Sequence, residues 1–103
     1  MGQYVAPIRD MQFVLHEFLN VTEEFKNLPA YQEIDADIIN QVLEEGAKFT
    51  QEVLFPLNHS GDREGCHYDA ATKTVTTPKG FKEAYKQYVE GGWAALACDP
   101  EYG

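Results

Sequence analysis

Residues 35–58 read DADIINQVLEEGAKFTQEVLFPLN. Within them Ile39, Val42, Leu43, Gly46, Phe49, Thr50, Val53, Leu54 and Leu57 recur at helical spacing. At 100° per residue they fill one face roughly 140° wide. Glu44, Lys48 and Gln51 fall on the other side. Asp35 is placed to cap the helix, with Ile34 and Ile39 at the staple positions around it. Asp37 adds negative charge to the first turn, where the helix dipole favours it. Glu44 and Lys48 stand four residues apart in the favourable order for an ion pair. Two residues depart from a simple surface helix. Gly46 interrupts the apolar face at a cost of up to about 1 kcal/mol relative to Ala. Phe55 points away from that face, just before Pro56. Both imply close contact with other protein.

The flanking segments carry weaker versions of the same pattern. On the N-terminal side, residues 1–9 are expected to be extended, with Pro7 limiting helix. Asp10 is expected to cap a first helix. Its stripe is Met11, Val14, Leu15, Phe18 and Leu19, with Phe13 opposite and Asn20 at the close. Thr22 to Phe25 reads as a short helical turn ended by Leu28-Pro29. On the C-terminal side, Pro56 should break the helix or start one further turn, since an interior proline costs about 3 kcal/mol or more. Residues 59–65, HSGDREG, read as a polar loop. Two short extended pieces, His67-Tyr68 and Thr74-Val75-Thr76, flank a turn at Asp69-Ala70-Ala71-Thr72. Thr77-Pro78 is expected to open the last long helix, residues 77–91, with Phe81, Ala84, Tyr85, Tyr88 and Val89 as its stripe. Gly91 or Gly92 is expected to end it in a left-handed cap. Trp93 to Leu96 then run apolar into a turn at Asp99-Pro100-Glu101-Tyr102-Gly103.

The fold class that follows is all-α or mainly α, with a minor β-hairpin near residues 67–76. The 103 residues suffice for one small domain. Its divisions are an N-terminal extension with the first helices over 1–34, the central helix over 35–58 and the last long helix over 77–91. The apolar segment running into a turn at residues 99–103 leads to the expectation that the chain is the front of something longer.

Composition excludes several classes. Hydrophobic residues make up 44% and charged residues 24%, with a net charge of −9, so the chain reads as globular. The eight basic residues are scattered, which argues against a nucleic-acid or anionic-membrane surface. No run is long and apolar enough for a membrane span. The start MGQYVAPIRD lacks the basic and apolar regions of a signal peptide, and Ala6 stands where a myristoylation start has Ser or Thr. The sequons at Asn20 and Asn58 carry no meaning without secretion. Cys66 and Cys98 form no disulfide framework, and a reducing, cytoplasmic compartment is expected.

Candidate chemistry in the residues is thin. Asp35, Asp37, Glu44 and Glu45 resemble a calcium loop, but an EF-hand needs Gly sixth and Glu twelfth, where Asn40 and Gly46 stand. His59, Cys66, His67 and Cys98 lack the C-x2-C spacing of a zinc site. Cys66 with His59 or His16 has no supporting motif for a nucleophile. Gly91-Gly92 is neither a GxGxxG nor a P-loop. Aromatic residues reach 13%, but on an acidic chain the Phe81, Tyr85 and Tyr88 stripe reads as core rather than a base-stacking surface. Phe13, Phe55 and Trp93 are candidates for exposed contact residues. No catalytic, cofactor-binding or metal-binding residue is assigned.

The phrases FPLNHSGDREGC (55–66), TTPKGFKEAYKQYVEGGWAAL (76–96) and DPEYG (99–103), in that order, resemble the N-terminal helical domain of the acyl-CoA dehydrogenase family. The opening MGQYVAPIRDMQFVLHEFLNV is similar to the extra N-terminal segment of a longer bacterial branch. The resemblance implies a full protein with an N-terminal helical domain, a middle β-domain and a C-terminal helical bundle. It implies a flavoprotein oxidoreductase of fatty acid metabolism that binds FAD. A glutamate takes the α-proton of an acyl-CoA, the β-hydride passes to the flavin, and a 2,3-enoyl-CoA results. The implied partners are the acyl-CoA substrate, an electron-transfer acceptor and further copies in a homo-oligomer. The family's catalytic glutamate and main flavin contacts normally lie further along the chain, so the 103-residue chain alone is expected to be inactive. Glu101 is not promoted to the base. The segment would cover and brace the substrate cleft. The other reading is a stand-alone helical interaction domain without enzymatic activity, using Phe13, Phe55 and Trp93 as its contact surface.

Overall fold

The computed structural model describes residues 2–102. Met1 of the myristoylation-like start and Gly103 of the closing phrase lie outside the described residues. Helix makes up 60% of the structure and the sheet is a two-stranded antiparallel hairpin. The mainly-α class with a minor hairpin therefore holds. Two compact units divide the chain, Met1–Glu52 and Val53–Gly103.

In the first unit α1 spans Ile8–Gln12 and runs into a π-helical turn over Phe13–Phe18. The helix starts two residues before Asp10, with Pro7 at its threshold and no side-chain cap. Proline fits there because its missing N–H would have no helical partner. Asp10 instead supplies charge to the first turn. The wider turn also changes which side packs. Leu15 is half-buried as expected, but Ile8, Gln12 and His16 accompany it, while Met11, Val14, Phe18 and Leu19 are exposed. A π turn places the N–H five rather than four residues after its carbonyl, so a face drawn at 100° per residue drifts out of register. Asn20, in the left-handed region at φ 49°, closes the segment. The short helix α2, Val21–Phe25, and a 3-10 turn at Pro29–Tyr31 follow, with the Phe25 and Tyr31 rings 5.4 Å apart.

Helix α3, Ala36–Phe49, starts where the sequence puts it. The Asp35 carboxylate accepts from the Ile38 N–H at 2.8 Å. Ile39, Val42, Leu43, Gly46 and Phe49 are half-buried and Glu44, Glu45 and Lys48 exposed. Helix α1 packs on α3. Two hydrogen bonds tie the N-terminal segment down: the buried Ala6 donates its N–H to Gln51 Oε1 at 2.8 Å, and His16 Nε2 lies 2.7 Å from Asn40 Oδ1. Among the described residues Glu44 and Lys48 form no ion pair. Exposed ion pairs instead join Lys26 to Glu23 and Lys86 to Glu90, each contributing a few tenths of a kcal/mol.

A second π turn, Thr50–Leu54, follows α3. It precedes Pro56, whose ring would press on the carbonyl four residues back and which has no N–H to give. Widening the turn accommodates both defects. It also revises three placements made from an unbroken 100° wheel. Gln51 is half-buried rather than outward, Leu54 is exposed, and Phe55 is half-buried.

In the second unit α4 occupies Phe55–Glu64, with Pro56 in its first turn. Residues 59–64 are thus helical, a correction to the expected polar loop and to the helix end at Asn58. Proline in a first turn is preorganised for helix. Gly61 is buried, and a Cβ there would lie 2.4 Å from the Phe81 ring. The glycine that looked like a loop signal is a helical contact point. Gly65, at φ 69°, ends the helix. Strands β1, His67–Asp69, and β2, Thr74–Thr76, pair with Tyr68 opposite Val75. Asp69 Oδ1 accepts from the Ala71 N–H at 2.9 Å and shapes the turn. The hairpin base is closed by Glu64 Oε2, which accepts from the Lys79 N–H at 2.9 Å.

The last helix, α5, spans Phe81–Glu90 and not 77–91. Gly80, at φ 90°, precedes it in the left-handed region. A Cβ there would meet the Leu57 methyl at 2.7 Å. Thr77 and Pro78 lie ahead of the helix, and the Pro78 carbonyl accepts from the Phe81 N–H at 3.2 Å. Gly92, at φ 78°, is the left-handed residue past its end. The Trp93 indole lies over Gly91, and Trp93–Ala95 form a 3-10 turn. Asp99 accepts from the Glu101 N–H through its side chain and from the Tyr102 N–H through its carbonyl, both at 2.9 Å.

Two stability predictions follow from these contacts. Asp35→Ala removes a helix cap and should destabilise the chain by about 1 kcal/mol, read from urea unfolding followed by circular dichroism. Gly61→Ala forces a methyl into the Phe81 ring and should cost about 1–3 kcal/mol, despite alanine's better helix propensity. An unchanged or raised midpoint for Gly61→Ala would show that the ring moves freely aside.

Candidate functional site

The second unit places the apolar stripes of α4 and α5 beside one another. Gly61 lets the Phe81 ring lie against α4, and Gly80 lets Leu57 reach the start of α5. The result is an open groove of about 280 Å³ lined by Leu54, Leu57, Asn58, Phe81, Ala84, Tyr85 and Tyr88. Ala84 at its floor is 5% exposed, whereas Tyr85 at its lip is 68% exposed. The Tyr85 and Tyr88 rings are 6.3 Å apart and tilted at 33°.

The lining decides what the groove can do. It holds no carboxylate, imidazole, thiol or cation. Asn58 and two phenols are its polar side chains, enough to orient a hydrogen-bonding neighbour but not to abstract a proton or attack a carbon. A groove of this kind receives apolar side chains or an apolar ligand surface. The first unit has a smaller feature of similar character, an open shelf lined by Asp10, Met11, Val14 and Leu15. That unit carries ten acidic residues against three basic ones, which disfavours a phosphate-bearing ligand.

Each residue weighed from the sequence has a place. Asp35 caps α3, and Asp37 lies in its first turn. His59 is exposed on α4, His67 opens β1, and Cys66 and Cys98 are exposed thiols. Among the described residues no three of His, Cys, Asp and Glu converge as a metal site. His16 faces Asn40. Gly91 and Gly92 end α5. Of the three candidate contact aromatics, Phe13 is exposed, while Phe55 and Trp93 are half-buried. The stripe of Phe81, Tyr85 and Tyr88, with Ala84 between them, reads as core in the sequence. Only Ala84 among them is buried, and the other three line an open groove.

No family model matches the chain. Two curated relatives do. The 3-methylmercaptopropionyl-CoA dehydrogenase of Ruegeria pomeroyi is 37% identical over 100 residues, which cover 97% of this chain and 16% of that protein. Across nearly its whole length this chain is similar to an acyl-CoA dehydrogenase. The butyryl-CoA dehydrogenase of Syntrophomonas wolfei is 32% identical over 91 residues, 86% of this chain and 15% of that protein. The chain therefore spans about a sixth of the length of the relatives it matches. Both relatives are named as acyl-CoA dehydrogenases. The family resemblance carried by the phrases over 55–66, 76–96 and 99–103 is confirmed. No helix among the described residues is long and apolar enough to cross a membrane.

If the groove is as open in solution as its lining indicates, the isolated chain will enhance the fluorescence of an apolar-surface dye such as ANS at neutral pH. Leu54→Lys combined with Tyr85→Lys, both at exposed positions, should lower that signal severalfold with the helical circular dichroism retained. An unchanged signal would place the dye elsewhere.

Proposed function

We propose that this chain is the N-terminal helical part of a longer FAD-dependent acyl-CoA dehydrogenase. The full protein converts an acyl-CoA to its 2,3-enoyl-CoA, passes the electrons to an acceptor protein, and works in the cytoplasm in fatty acid metabolism as a homo-oligomer. The observation that carries the reading is the match to an acyl-CoA dehydrogenase across 97% of the chain.

The residues in hand do not fit the flavin. The α4–α5 groove offers no cation for a pyrophosphate, the chain has no glycine-rich phosphate loop, and the first unit is strongly acidic. FAD binding and the proton-abstracting base are therefore assigned to the remainder of the longer protein. Glu101 is exposed in a turn that Asp99 shapes and is given no catalytic role. The work assigned to residues 2–102 is structural. They cover and brace the substrate cleft and exclude water from it, which orientation-dependent chemistry requires.

The second reading, a stand-alone helical interaction domain, is favoured by the exposed apolar side chains of the groove, Leu54, Phe81 and Tyr85. One experiment separates the two. The product of the complete reading frame should purify yellow, and an acyl-CoA should bleach its flavin absorbance with release of enoyl-CoA. The isolated 103-residue chain should be colourless and inactive. A complete product that binds no flavin and leaves acyl-CoA unchanged overturns the dehydrogenase reading. A 103-residue product that folds alone and retains a protein partner then supports the interaction domain.

A further inference from the structure

We draw no further inference here: the strongest candidate, the open apolar groove between α4 and α5 with Tyr85 at its lip and Ala84 at its floor, is an unpartnered face, and nothing in the structure shows what covers it.

Discussion

Pro56 sets the constraint on which the surrounding helical register depends. It has no N–H and its ring crowds the carbonyl four residues before it. The chain meets both demands by widening Thr50–Leu54 into a π turn and letting the proline stand in the first turn of α4. From that point the side chains no longer fall where an α-helical wheel would put them. Gln51 turns in to receive the Ala6 N–H, while Leu54 turns out toward the groove. The groove itself then depends on two glycines. Gly61 admits the Phe81 ring and Gly80 admits the Leu57 side chain, contacts that a larger residue at either position would block.

Local rules with a short reach were readable in the sequence. The Asp35 cap, the half-buried face of α3, the hairpin strands and their Asp69 turn, and a left-handed glycine after α5, at Gly91 or Gly92, all follow from a residue and its near neighbours. The misplacements have one common cause. Helical wheels assume a fixed angle per residue, and both π turns, Phe13–Phe18 and Thr50–Leu54, break that assumption. Glycine misled in a related way. Gly61 reads as a loop former, but its value lies in a tertiary contact with Phe81 that is twenty residues away. The start of α5 slipped for the same reason, because Gly80 is held in the left-handed region where Thr77-Pro78 looked like the better opening.

The candidate site was the least readable part. A stripe of Phe81, Ala84, Tyr85 and Tyr88 looks the same in sequence whether it is buried or waiting for a neighbour. Only the exposures separate the two cases, and here Ala6 and Ala84 are the buried hydrophobic residues among those described. So sparse an interior leaves little hydrophobic stabilisation to offset chain entropy. The family resemblance, by contrast, is readable in the sequence, because it rests on the order of whole phrases rather than on the angle of any one side chain.

The hairpin shows what a cross-braced surface loop permits. Both of its strands are exposed, its tip contains Ala70 and Ala71, and its base is clamped by the bond from Lys79 to Glu64. The tip itself is exposed and belongs to neither helix. The segment between Ala70 and Lys73 is thus a natural position for an epitope, a fluorophore or a tether, a handle by which the protein can be held or followed without disturbing the helices.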